Sequence, residues 1–334
     1  MIMKKILTFI VLSVALLAMS ACSQQAKEDA GKKSSSGKTL EILVVGEKNT
    51  SVNSTTKLID SLFKAQQEGF MQKESKFDVV YIPRSSYDNS EMFKVHRNLI
   101  LLDINPENPD KAYRYKDEYA APQVIFEFAA RNRHSLDSLI ARFAPEMEKH
   151  IYDTEHRRII KAFKSTEGYK VEKKVKDNFG FGLTFSEEFA VANMLNDFAW
   201  VRKEAKDFGL HVLVYTQPYT SKQQFDEAQI LNNLDSIMKR VPSTAENSYI
   251  GTERRLDLPM RTTTLANRYC VETRGMWRSF GDFMGGPFVS YTLTSPDNKQ
   301  LITLVGFVFS PRFPKRDYLM QVESICHSLT FEIQ

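Results

Sequence analysis

The chain has 334 residues, 42% hydrophobic and 26% charged, an ordinary globular composition with length enough for two modest domains. The formal net charge is +4, and Lys and Arg are interspersed with acids rather than blocked together, which excludes a nucleic-acid partner. There are 3 cysteines, at positions 22, 270 and 326.

The first residues read as an export signal. Lys4 and Lys5 supply a positive start, Ile6 to Leu17 is apolar apart from Thr8 and Ser13, and small residues lead into Cys22. The apolar run is shorter than the roughly 20 residues a permanent span needs. Removal of the signal takes two lysines and no acid, which lowers the formal charge of +4 by two. Residues 23–38 contain no large apolar side chain and so cannot bury enough surface to offset their ordering entropy. A flexible tether is expected there, holding a domain roughly 20–25 Å from the membrane.

Leu40 to Val45 is a β-rich apolar run ending at Gly46, and a strand is expected. Thr55 to Gln67 has helical spacing of Leu58, Leu62 and Phe63. Phe77 to Ile82, Asn98 to Ile104 and Gln123 to Ala129 read as further strands, and Asn105 to Pro122 as a long loop. Ser135 is the expected N-cap of a long helix that Pro145 should kink or split. Strands alternating with helices predict an α/β N-terminal domain over 39–165.

Polar, Lys-rich residues near 166–176 predict a junction. Beyond it, Phe181 to Phe185 reads as a strand, and Phe198 to Lys203 with Leu210 to Thr216 as a hairpin. Lys222 to Arg240 reads as a helix; Leu265 to Trp277, Phe288 to Thr294 and Leu301 to Ser310 as strands; and Asp317 to Leu329 as a closing helix. The expectation is an α+β C-terminal domain over 166–334, with an antiparallel sheet and flanking helices. Cys270 and Cys326 are either separate buried thiols or a disulfide, which spacing alone does not decide.

The cysteine after Ser20-Ala21 resembles the lipobox of bacterial lipoproteins, with Met19 where leucine is usual. That resemblance implies a signal peptide over 1–21, lipidation of Cys22 and a membrane-anchored tether over 22–38. Ser23 after the cysteine implies the outer membrane, with the periplasmic or surface side open. Trp277, the run Gly281 to Phe288, Gly306-Phe307-Val308, Pro311, Lys315-Arg316, Glu323 and Ser328-Leu329, with the lipobox, resemble an uncharacterised lipoprotein family of Bacteroidetes. This implies location and architecture only. The C-terminal part is also similar to the PsbP-type α/β sandwich, a likeness of fold alone.

No chemical signature stands out. Gly37-Lys38-Thr39 lacks the spacing of a phosphate-binding loop and precedes the first strand. The 6 histidines are scattered; without Cys-x-x-Cys or His-Glu-x-x-His no metal is expected, and no cofactor either. The polar residues between Glu47 and Thr56 could hold an anion at a helix start or simply cap it. Binding-type residues concentrate in one place. Trp277 to Pro287 is expected to be an exposed loop, with Arg274, Trp277, Arg278, Asp282, Phe283 and Met284 as the partner-binding set. The competing account has Trp277 and Phe283 plugging their own sheet. The function expected is a non-enzymatic, lipid-anchored binding or accessory module with an envelope protein or anionic glycan as partner. The alternative is a hydrolase or transferase acting on envelope glycans or peptides.

Overall fold

The computed structural model describes residues 32–47, 53–166 and 168–331. Cys22 and the signal lie outside the described residues. The described residues form two compact units: those up to 62 together with 78–154, and 63–77 together with those from 155. The segment Phe63–Phe77, which sequence places in the first domain, thus packs with the second, as does the chain from Glu155.

In the first unit β1 (Glu41–Gly46), β2 (Asp78–Pro83), β3 (Asn98–Ile104) and β5 (Val124–Ala130) run parallel, in the order β2-β1-β3-β5. Ile42 to Val45 and Leu99 to Leu101 are buried without alternation, the pattern of strands covered on both faces. The expected long loop contains β4 (Lys111–Lys116), an antiparallel edge strand beside β5. Helix α1 (Ser54–Phe63) follows β1, short helices α2 (Arg84–Asp88) and α3 (Glu91–Lys94) follow β2, and α4 (Arg133–Lys164) follows β5. Helix α4 is continuous through Pro145, and its capping oxygen is Asn132 Oδ1, which accepts from the Ser135 amide at 2.9 Å. The last part of the expected tether is not free. Ser36 pairs with Val95 and Arg97 through backbone hydrogen bonds, and the Lys33 carbonyl accepts from Ala121.

The polar stretch expected as a linker is largely a helix, α5 (Tyr169–Phe179), which buries Val171 and Val175 one turn apart. An eight-stranded antiparallel sheet carries the rest. Its strands are β7 (Ala190–Met194), β8 (Phe198–Glu204), β9 (Gly209–Pro218), β10 (Tyr249–Thr252), β11 (Met260–Leu265), β12 (Arg268–Phe280), β13 (Gly285–Thr294) and β14 (Gln300–Phe309). The spatial order is β10-β12-β13-β14-β9-β8-β7, with β11 also on β12. Helix α6 (Glu227–Met238) covers one face through Leu234 and Ile237 against Leu213, Val305 and Phe307. On the other face α7 (Arg316–His327) packs Val322 and Ile325 against Leu304 and Tyr291. The expected helix over 222–240 is instead a short 3-10 turn followed by α6, divided at extended Asp226. The expected strand over 181–185 shortens to β6 (Phe181–Gly182), which pairs with β15 (Thr330–Phe331). Cys270 and Cys326 are free, buried thiols, and burial raises the pKa of both. Among the described residues no helix is long and apolar enough to cross a membrane.

Candidate functional site

Strand alternation decides which residues of β12 face which side. Val271 and Trp277 point to the α6 face, whereas Cys270 points to the α7 face together with Glu272, Arg274, Met276 and Arg278. The hairpin is longer than expected: β12 reaches Phe280 and β13 begins at Gly285, leaving a tip of Gly281 to Met284.

A cavity of about 580 Å3 opens beside this hairpin. Its apolar wall is formed by Phe70, Met71, Leu256, Met276, Met284 and Pro287, and its polar groups are Glu253, Arg255, Arg278 and Lys315. Phe283 at the tip is fully exposed, as Met71 largely is. Three methionines on one wall give a polarizable surface that adapts to irregular apolar partners.

The charges are unequal. Glu253 is shared by Arg255, at 2.6 Å, and Arg278, at 3.6 Å, and its hydrogen bond from Arg255 holds its carboxyl down at about 2. Lys315 is only 6% exposed. Its Nζ donates to the Gln72 side-chain oxygen and to the Phe313 carbonyl at 3.4 Å, and among the described residues no carboxylate lies within ion-pair distance of it. The nearby Glu74 is spent on the start of α7, accepting from the Lys315 and Arg316 amides at 2.8 and 2.9 Å. A buried basic group without a counter-ion is costly, and it faces the cavity.

The residues expected from sequence divide. Arg278, Phe283 and Met284 line the cavity, and Trp277 also reaches it. Asp282 serves the tip instead, accepting from the Thr244 and Ser243 hydroxyls and, at 2.7 Å, the Phe283 amide. Trp277 is only 3% exposed, and its indole donates to the Val308 carbonyl at 3.0 Å. It is a core residue with one edge at the cavity, not a loop anchor. Arg274 is 6% exposed and closed between Glu272 and Glu323, so no partner's anion reaches it. Sequence reading did not assign Phe70, Met71 and Gln72 to a site, their only signal being Gly69 beside an apolar pair, and met Lys315 only within the family resemblance.

Arg274 belongs to an enclosed network. Tyr291 donates to Glu323 at 2.8 Å, His327 lies 3.1 Å from the Tyr291 hydroxyl, and His156 stacks on His327 at 3.8 Å. His156, Glu323 and His327 bring their donor atoms close enough to hold a metal ion in principle. Two features oppose it: the imidazoles are nearly parallel, at 12°, and do not converge on one point, and Glu323 already neutralises Arg274.

Of the two readings of the stretch Glu47 to Thr56, anion binding or capping, the described residues show capping. The Asn53 side chain accepts from the Thr56 amide, and the Ser54 and Thr55 hydroxyls donate to Asp137 at 2.8 and 2.5 Å. Residues 48–52 of that stretch lie outside the described residues.

Fold and site together define a two-unit protein: an α/β unit and an α+β unit whose antiparallel sheet carries a methionine-lined cavity with basic side chains at its wall. Two family models match it, each a domain of unknown function: DUF8532 over residues 35–164 and DUF4837 over residues 168–328. No curated protein matches the chain. Among solved structures, one is a protein from Bacteroides thetaiotaomicron VPI-5482, with 6% identity, TM-score 0.27 and 46% of each chain covered. Another is the human StarD13 (DLC2) lipid transfer and protein localization domain, with 11% identity and TM-score 0.18, covering 48% of this chain and 94% of that one. Neither likeness is close enough to carry an argument about function.

Proposed function

We propose that the protein is a lipid-anchored, non-enzymatic binding module of the bacterial envelope, held through Cys22 by a short tether at an outer-membrane surface. The cavity beside the β12–β13 hairpin takes a peptide segment of an envelope protein that presents an apolar side chain next to a carboxylate. The observation that carries this reading is Lys315, a buried basic group on the cavity wall with no carboxylate partner among the described residues. A partner's carboxylate would supply the missing counter-charge, and Phe283 and the methionines would cover its apolar neighbour. A glycan phosphate would satisfy Lys315 but leave the apolar wall of Phe70, Met71, Leu256, Met276, Met284 and Pro287 uncovered.

The test is in-cell photo-cross-linking from a photo-reactive phenylalanine analogue at position 283 of the full chain. Adducts are expected to be competed by a synthetic Leu-Glu repeat peptide, not by its Leu-Lys counterpart, and to vanish in Arg278→Glu. Adducts indifferent to both peptide charge and Arg278→Glu would remove the basis for this site.

A further inference from the structure

At the same end of the sheet, on the α6 face, a second cavity of about 430 Å3 lies between the strand ends and the segment Val241–Thr244. His211 of β9 lines it and is only 8% exposed. The ring stacks on Phe307, its cross-strand neighbour, at 4.4 Å and 11°.

The hydrogen bonding of this histidine fixes its tautomer. The Trp200 indole N–H, which can only donate, points at His211 Nδ1 at 3.2 Å. Nδ1 therefore accepts and carries no proton, so the neutral ring carries its hydrogen on Nε2. Among the described residues Nε2 has no acceptor, and His211 lines the cavity, where a ligand can supply one. Gly209 lies against it: a Cβ there would sit 2.6 Å from Nε2. A residue with any side chain would cap the donor, and glycine leaves it open.

The walls and the mouth define what the donor faces. Trp200, Trp277, Phe307 and Phe309 supply aromatic surface. Arg202 is committed, paired with Glu204 at 2.8 Å and lying over the Trp200 ring at 4.9 Å. Lys206 at the mouth is exposed and has no ion pair among the described residues.

We propose that this cavity is a second binding site, for a small aromatic carboxylate. One carboxylate oxygen accepts from His211 Nε2–H, Lys206 favours the negative charge at the mouth, and the ring lies against the aromatic walls. The site is independent of the peptide cavity, with which it shares only the edges of Trp277 and Met284.

Both tryptophans of the chain line this cavity, so intrinsic fluorescence reads its occupancy directly. The full chain is titrated with phenylacetate and, separately, with phenethylamine. A saturable change is expected with phenylacetate and none with the amine. Gly209→Ala and His211→Phe should each weaken phenylacetate at least tenfold. Lys206→Ala, which touches only the mouth and leaves the fold intact, should weaken it several-fold, and Arg278→Glu in the other cavity should leave it unchanged. No saturable change, equal response to the amine, indifference to Lys206→Ala, or loss in Arg278→Glu would each overturn the proposal.

Discussion

Gly69 rests on the backbone of Gly275: a Cβ built on Gly69 would lie 2.7 Å from the Gly275 amide nitrogen. This contact holds the segment 63–77 against β12 and thereby sets Phe70, Met71 and Gln72 into the wall of the larger cavity. Gly69 also has φ +77, a region that residues with a Cβ occupy at a cost. Gly69→Ala is expected to destabilise the protein by about 1–3 kcal/mol in urea unfolding. It should also expose the 64–76 segment to limited proteolysis before the sheet is cut. A variant as stable and as resistant as the parent would show that this close approach is not needed.

Arg274 and Arg278 lie on the same face of β12, with Met276 between them, and differ in role. Arg274 bonds Glu272 and Glu323 in the interior. Burial alone would raise the Glu323 pKa, yet Arg274 and the Tyr291 hydroxyl hold it below its usual value. Glu323→Ala would leave Arg274 and Tyr291 short of an acceptor, and a loss of about 3–5 kcal/mol is expected. Arg278→Ala should change stability by less than about 1 kcal/mol, since its ion pair is long, at 3.6 Å, and its guanidinium is partly exposed. Chemical denaturation of the two variants side by side decides the matter.

Trp277 and Phe283 separate in the same way. Trp277→Ala removes a buried indole and its hydrogen bond to Val308, and about 3–5 kcal/mol should be lost. Phe283→Ala removes a side chain that touches solvent, and stability should stay within about 0.5 kcal/mol of the parent. Equal losses at both positions would mean that the hairpin tip is part of the core.

Two buried imidazoles set an acid limit. Burial lowers the His211 pKa from 6.5 to about 3, helped by Arg202, and burial lowers that of His156 well below 6.5, helped by His327 and Arg274. Both are neutral in the folded chain at pH values where the unfolded chain would protonate them. Their contribution is complete above pH 6.5 and is lost as pH falls toward 3 for His211. Each proton taken up only on unfolding costs about 1.4 kcal/mol per pH unit. Urea unfolding between neutrality and pH 4 should therefore show a shallower pH slope in His211→Phe than in the parent. Identical slopes would mean that His211 is not held neutral.

The lipid anchor is tested separately. Cys22→Ala should leave the membrane fraction or accumulate as precursor, with the signal still attached. Normal processing and membrane retention of that variant would exclude acylation at Cys22.

Much of the fold was legible because the central strands are apolar runs: β1, β3 and β9 lie within a residue or two of where their patterns end. The elements that escaped have little apolar patterning. Strand β4, Lys-Ala-Tyr-Arg-Tyr-Lys, is an exposed edge, and α5 buries only Val171 and Val175 among lysines. The hairpin tip was overextended because Gly285 and Gly286 read as loop residues. They lie in β13, where Gly286 makes room for the Trp277 indole, with Nε1 3.0 Å from where its Cβ would be. Lys315 and Gln72 could not have been joined from sequence, because 243 positions separate them and the bond depends on segment 63–77 packing with the second unit.

Lys315 gives the most direct test of the binding account. A buried basic group kept for a ligand should be dispensable for folding, whereas one kept for structure should not. Lys315→Met preserves an unbranched apolar stem of similar length and removes the charge. The measurement is urea stability of this variant together with cross-linking from position 283 in cells. The account predicts stability equal to or above that of the parent, with loss of the adducts that the Leu-Glu peptide competes. A destabilised variant that still forms those adducts would contradict it.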